Sequence, residues 1–442
     1  MSGGEVFVML MTAVAGAVVA SVLSLVPALH IYNVAGLILL ATTGLGGLVP
    51  PDRLAMLFLG MVTGYAMLNV VPSVFLCAPD DSTIFVVLPA RKFLLQRRGH
   101  EAAVLTGVGG LGGIAVLALL TPVAPALLPA VRAILRPHLH WILWTIVAYL
   151  LLSEWPKGFG RAPSGWRRWW EGWKSLTAGL ATFLLSGFLG FILLHRSLVP
   201  VEVAYQNLLP AFVGLFAVPW IVQNLLSRVE LPEQHIARTL DATPGMIAQG
   251  TVAGALGGLF AAFFPVVTGG VGGLLAGHAT AQRDDRLFLI AQGASKVVYY
   301  AGGLLLFFVP GLHLTRGGMA WMLSTVWTGR GPQTYYVAVA AVVLSGVLSF
   351  FLLLFAARLT IQLIGAVHYR WISVGTLFVL LAVVVGFAGW GGLLICAVAT
   401  GVGLIPALWG SRRTLCMGVL LLPIALNMSG LGNTVARWMG LM

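Results

Sequence analysis

Three short stretches of the sequence hold residue types that could do chemistry among apolar neighbours. The first is Cys77-Ala78-Pro79-Asp80-Asp81-Ser82-Thr83, where two vicinal acids and two hydroxyls lie between apolar runs. Acids at membrane depth are costly unless they face water, a cation or a basic side chain. Asp80, Asp81, Ser82 and Thr83 are therefore candidates for a coupling site that takes Na⁺ or a proton. The other reading is a capped interfacial turn, since Asp or Ser can accept from the first N–H groups of a following helix. The second stretch centres on Lys296, in the middle of an apolar run read as 287–310. A lysine at a helix centre costs about 2.5–3.5 kcal/mol on insertion scales, so Lys296 must snorkel, pair with an acid such as Asp80 or Asp81, or contribute charge to an anion site. The third is a pair of proline breaks. Leu25-Val26-Pro27-Ala28-Leu29-His30-Ile31-Tyr32-Asn33 matches Phe263-Phe264-Pro265-Val266-Val267-Thr268-Gly269-Gly270. Proline ends or kinks a helix, and the helix N-terminus that follows is a ready anion site when it faces a cavity. Pro27, His30, Asn33, Pro265, Thr268, Gly269 and Lys296 are thus candidate substrate-binding residues; the bland alternative is two ordinary turns at a membrane surface.

Other chemistries find little support. The 9 histidines show no spacing such as HExxH, and Cys77, Cys396 and Cys416 stand singly without a CxxC pair, so neither a metal site nor a disulfide framework is expected. With no Ser/His/Asp or paired-acid arrangement, the sequence points away from an enzyme, and no cofactor is expected beyond the coupling Na⁺ or proton.

The elements that must position these residues follow from composition. Of 442 residues, 59% are hydrophobic and 9% are charged, against roughly 25% charged in soluble domains. The fold class expected is an all-α polytopic membrane protein with about 12–14 embedded segments, some broken or re-entrant. Apolar runs lie near 5–29, 31–49, 54–78, 103–121, 139–153, 175–195, 198–227, 245–266, 268–282, 287–310, 334–357, 371–388, 390–409 and 413–431. The 55 glycines and 22 prolines imply irregular backbone, which a bilayer tolerates only where protein or a water-filled cavity covers it. The excess of 25 Lys and Arg over 13 Asp and Glu sits in short loops, where it reads as cytoplasmic anchoring and not as nucleic-acid binding. Loops 91–98 and 157–174 are the most basic and fall on the same side by parity, which leaves the N-terminus outside. The Trp-rich stretch from Trp155 to Lys174 suits an interfacial segment against an anionic leaflet of the lipid bilayer. No basic residue precedes the first apolar run, so the first helix is expected to stay in the mature protein.

Sliding the chain by 238 positions places Gly16-Ala17 on Gly254-Ala255, Pro27 on Pro265 and Pro72 on Pro310. Seven segments separate the copies, and an odd number reverses orientation. The expectation is two inverted-topology repeats, residues 1–227 and 228–442, of the kind that builds alternating-access transporters.

These motifs together resemble the large permease subunit family of the tripartite tricarboxylate transporters, in its shorter, archaeal-type branch. The resemblance rests on Pro27-Ala28-Leu29-His30, on Pro72 through Thr83 with Leu88-Pro89 downstream, and on Gly99-His100-Glu101-Ala102. It also rests on Phe264-Pro265 and on Gly403-Leu404-Ile405-Pro406 followed by Arg412-Arg413-Thr414. In that family the breaks are normally Pro-Gly and line the transport route; here Ala28, Ala90 and Val266 stand in the glycine positions, and a Cβ restricts positive φ there. The resemblance implies a secondary transporter for a small anionic substrate of the di- or tricarboxylate class, in the cytoplasmic membrane of a prokaryote. It also implies a small membrane subunit and an extracytoplasmic binding protein as partners, although the shorter branch could act without them. A translocase of a lipid-linked phosphate and a structural membrane protein without a substrate are the competing readings.

Overall fold

A computed structural model of the chain describes residues 1–27, 29–44, 49–80, 82–156, 165–196, 198, 208–227, 232–264, 267–327 and 331–442. The chain is all-helical, with no strand among the described residues. The helices are, in order, α1 (Gly3–Leu23), α2 (Ile31–Gly44), α3 (Pro51–Leu68), α4 (Val70–Phe75), α5 (Val87–Leu95), α6 (Gly99–Leu120), α7 (Ala124–Leu135), α8 (Leu139–Leu152), α9 (Gly165–His195) and α10 (Leu208–Phe212). They continue with α11 (Val218–Ser227), α12 (Pro244–Phe263), α13 (Gly269–Ala279), α14 (Asp285–Val297), α15 (Gly303–Phe308), α16 (Gly317–Ser324), α17 (Pro332–Ala366), α18 (Tyr369–Trp409), α19 (Gly418–Met428) and α20 (Gly432–Trp438). Five-residue π-turns join α10 to α11 at Val213–Ala217 and α14 to α15 at Val298–Gly302.

Among the described residues, 9 helical stretches are long and apolar enough to cross a membrane. Counting the pair Arg413–Met428 and Gly432–Trp438, bent by 115°, as one span raises this to 10. Several of the apolar runs depart from a simple full span for visible reasons. The 139–153 run joins α7 through a 3-10 turn at Arg136–His138 into one stretch, Ala124–Leu152. The glycine-rich 268–282 run yields α13, of only 11 residues. Runs 371–388 and 390–409 meet at Gly389, whose φ of 62° is open to glycine at little cost and breaks α18 in two.

Local signals set the helix starts. Ser2 and Glu5 form a reciprocal capping box on α1, and Thr243 caps α12 with Pro244 in the first turn. Asp284 caps α14 by accepting from Arg286 N at 2.8 Å. The Arg286 guanidinium beside it holds the Asp284 carboxyl below the usual carboxylate range.

The chain divides into two compact units, Met1–Ala133 with Arg228–Ser373, and Ile134–Ser227 with Val374–Met442. Within the first, α1 packs on α3 and α12 on α14, α3 on α17 and α14 on α6, α1 on α17 and α12 on α6. Exchanging α1 with α12, α3 with α14 and α6 with α17 maps this set of contacts onto itself. The close approaches follow the same exchange. A Cβ on Gly16 would lie 2.3 Å from Leu57 O, and one on Gly254 would lie 2.1 Å from Ala291 O. Both glycines let two backbones touch, which is how helices pack where lipid supplies no hydrophobic drive. In the second unit α9 packs on α19, buried Glu154 accepts from Arg412 N at 2.9 Å, and the Arg413 guanidinium lies 3.6 Å from the Trp220 ring centroid.

Candidate functional site

The chain between α4 and α5 is held by one carboxylate. Asp80 Oδ1 accepts from Ser82 N at 3.0 Å, Ser82 Oγ at 2.8 Å, Thr83 N at 2.8 Å and Thr83 Oγ1 at 2.7 Å. Its other oxygen, Oδ2, accepts from Tyr65 Oη at 2.7 Å and from Asn69 Nδ2 at 2.8 Å. Ser73 Oγ closes the knot by donating to Thr83 Oγ1 at 2.7 Å. Four of the six hydrogen bonds to Asp80 are local and make it the cap of the 82–86 turn. The other two come from α3 and from Asn69 at its end, and they anchor the turn to that helix.

Lys296 does not pair directly with this acid. It is 3% exposed, and its Nζ donates to Asn69 Oδ1 at 2.6 Å. Asn69 thus relays between a buried ammonium and a carboxylate, accepting from one and donating to the other. Charge-assisted hydrogen bonds of this kind compensate for part of the cost of burying the charges. The second break packs on the same place. Thr268 caps α13 by accepting from Val271 N at 3.5 Å, and Gly269 O accepts from Ser295 Oγ at 2.7 Å. A Cβ on Gly269 would lie 2.9 Å from Lys296 Cα, and one on Gly270 would lie 2.7 Å from Ser82 O. The start of α13 is therefore inserted between α14 and the Asp80 turn, an approach no other residue type permits without movement.

The first break meets the same helical stretch one turn further along, at Tyr300. His30 Nδ1 accepts from Tyr32 N at 3.2 Å, fixing the ring at the start of α2, and His30 Nε2 lies 3.1 Å from Tyr300 Oη. Tyr300 follows Lys296 by four residues, in the π-turn. The His30 ring centroid is 4.5 Å from that of Tyr32, 5.0 Å from that of Tyr65 and 5.9 Å from that of Tyr300. Tyr65 lines one small cleft, with Ser24, Val26, Asn69, Pro72 and Asp80, and Tyr32 and Tyr300 line another, with Tyr299, Gly303, Arg316 and Ala320 among others; each has room for little more than one water. Arg316 Nη2 donates to Ala261 O at 3.1 Å, to Val267 O at 3.3 Å and to Phe264 O, closing the carbonyl end of α12. Its Nε–H is buried without a partner among the described residues.

The structure thus gathers His30, Thr268, Gly269, Lys296, Asp80, Ser82 and Thr83 within one compact unit. Pro27 is buried in the first break, between two residues that line the Asp80 cleft, Val26 and Leu29. Asn33 is buried in α2, and among the described residues no side-chain hydrogen bond joins it to this network. Asp81 and Pro265, like Ala28 and Val266, lie outside the described residues. The sequence reading missed Tyr65, Asn69, Ser73, Tyr300 and Arg316. Tyr65, Asn69 and Ser73 recur every four residues, a polar stripe at helical spacing inside an apolar run, and that signal was available.

Comparison with known proteins agrees with this architecture. The profile of the tripartite tricarboxylate transporter TctA family matches residues 10–418. An uncharacterized protein of Methanocaldococcus jannaschii is 24% identical over 378 residues, covering 84% of this chain and 86% of its own. No solved structure matches.

Proposed function

The chain belongs to the tripartite tricarboxylate transporter TctA family, and from that premise and the geometry above we propose that it is a secondary active permease for a small organic anion of the di- or tricarboxylate class. The family is one of transporters and not of enzymes, and the chain is a multi-pass membrane protein. We place it in the cytoplasmic membrane of a prokaryote, working with a small membrane subunit and an extracytoplasmic binding protein.

One observation carries the reading: two helix breaks 238 positions apart in sequence converge on one helix at a buried lysine. Lys296, the N-terminus of α13 at Thr268 and Gly269, and His30 supply positive or donor character for an anion. Asp80, Ser82 and Thr83 form the coupling side. A proton or Na⁺ arriving there would displace a donor from Asp80 and loosen the Asn69 relay that holds Lys296. Two inverted repeats moving against one another would open this site to either face in turn. Supporting the repeats, the packings of the first unit survive exchange of α1, α3 and α6 with α12, α14 and α17, and each compact unit takes one piece from each half of the chain.

The test is uptake of labelled citrate and succinate by proteoliposomes. Accumulation is expected only under an inward Na⁺ or proton gradient. Equal uptake with and without both gradients would remove the coupling, and no uptake of either acid would remove the substrate class.

A further inference from the structure

Helix α9 is longer than a membrane needs. Its 31 residues rise about 46 Å at 1.5 Å per residue, against a hydrocarbon core of about 30 Å. Residues 175–194 carry no charge and match a span by themselves. The turns before them, 165–174, therefore stand at and beyond the headgroups, which add about 5–8 Å to each face. They hold four tryptophans, Arg167, Arg168, Glu171 and Lys174. At 3.6 residues per turn the helix has two distinct sides. Gly172, Gly179, Ser186 and Gly190 are buried and mark the packed side; Arg168, one turn before Gly172, falls on it. Opposite run Trp166, Arg167, Trp170 and Lys174, continued within the span by Leu184, Phe188 and Ile192, which are exposed. Two neighbours bound this outer face. Trp409 of α18 meets Trp170 edge-on with centroids 6.1 Å apart, and Trp169 stacks between Trp166 at 4.7 Å and Trp173 at 5.8 Å. Its charge is uncommitted: Glu171 pairs with Lys174 at 3.8 Å, and exposed Arg167 makes no ion pair or hydrogen bond among the described residues.

We propose that this face of α9 binds one phospholipid with an anionic headgroup. Arg167 takes the phosphate, Trp170 and Trp409 flank the headgroup, and the acyl chains lie along Leu184, Phe188 and Ile192. A guanidinium meets a phosphate with two parallel N–H donors, and the arginine stem is long enough to bend back one turn to the level of Trp170. A zwitterionic lipid would bring a second cation beside Arg167, so the site favours a lipid of net negative charge, such as phosphatidylglycerol. None of the residues proposed for transport contributes to it, so the two readings stand or fall separately.

The test counts phospholipids bound to the full chain in detergent by native mass spectrometry, with phosphatidylglycerol and phosphatidylcholine of the same acyl chains titrated separately. The unmodified protein is expected to hold one phosphatidylglycerol about 5-fold or more tightly than phosphatidylcholine, the equivalent of ~1 kcal/mol per basic side chain near an anionic surface. Arg167→Gln is expected to weaken that lipid about 5-fold and to erase the preference. Arg168→Gln removes the same charge from the other side of the helix, where salt screens it from the site, and is expected to change binding by less than about twofold. Both substitutions are exposed and should leave the melting temperature of the lipid-free protein unchanged. Equal losses in the two variants would show a diffuse attraction to an anionic leaflet and overturn the site. Equal binding of the two lipids by the unmodified protein would overturn it as well.

Discussion

The two proline breaks occupy corresponding positions in sequence and start their helices alike, yet they are built from different materials. At the first, a side chain does the capping and the sealing: His30 accepts from Tyr32 N and places its ring against three tyrosines. At the second, Thr268 caps, and Gly269 and Gly270 bring bare backbone against Lys296 and Ser82. Ile31, which corresponds to Gly269 at the 238-residue offset, is 1% exposed and fills space where the second break has none. The difference teaches that corresponding positions in a membrane protein keep a backbone event, the end of one helix and the start of another, while the chemistry around it diverges. One break is a wall of rings. The other is a tight joint next to the charges.

Breaking the charge relay should have the largest effect. Lys296→Met removes the ammonium and Asp80→Asn removes its distant counter-charge; each is expected to abolish gradient-driven citrate uptake and to lower stability by up to ~3–5 kcal/mol, the range for removing one member of a buried charge pair. In thermal unfolding the double variant should be less destabilised than the sum of the singles, by about 0.5–3 kcal/mol. Strict additivity would show that Asn69 does not relay between them.

A smaller effect separates the two breaks directly. Gly269→Ala forces a Cβ to within 2.9 Å of Lys296 Cα and should cost about 1–3 kcal/mol as overpacking. Ile31→Val at the corresponding position should cost about 0.5–1.5 kcal/mol as a lost methylene. If urea titration gives the opposite order, the joint at Gly269 is looser than its geometry indicates.

The smallest change concerns the caps. Thr268→Ala removes a hydrogen bond of 3.5 Å and should cost about 0.5 kcal/mol, the low end for an N-cap, measured as a slight fall in melting temperature with citrate uptake preserved. A tenfold loss of uptake would assign the Thr268 hydroxyl to the substrate.

The membrane class, the breaks and the isolation of Lys296 were legible because each is a property of one segment: apolar length, a proline, a charge in the wrong place. The partner of Lys296 was not, because it comes from another helix. Asp80 was named as a pairing candidate, and the structure inserts Asn69 between them. Asn33 was chosen for lying near a break, but proximity along a helix says nothing of the face it presents, and it stays outside the network. Arg316 escaped notice for the opposite reason. A charge in a short loop is the commonest feature of a membrane protein, and only the carbonyls of α12 folded around it set it apart.

Those carbonyls have a consequence for the charge they hold. The C-terminal end of a helix carries roughly half a negative charge, so the oxygens of Ala261, Phe264 and Val267 offset part of the field of Arg316 where no acid of the described chain does. Backbone thus does at the end of α12 what a carboxylate would do elsewhere, and no side-chain substitution can take it away.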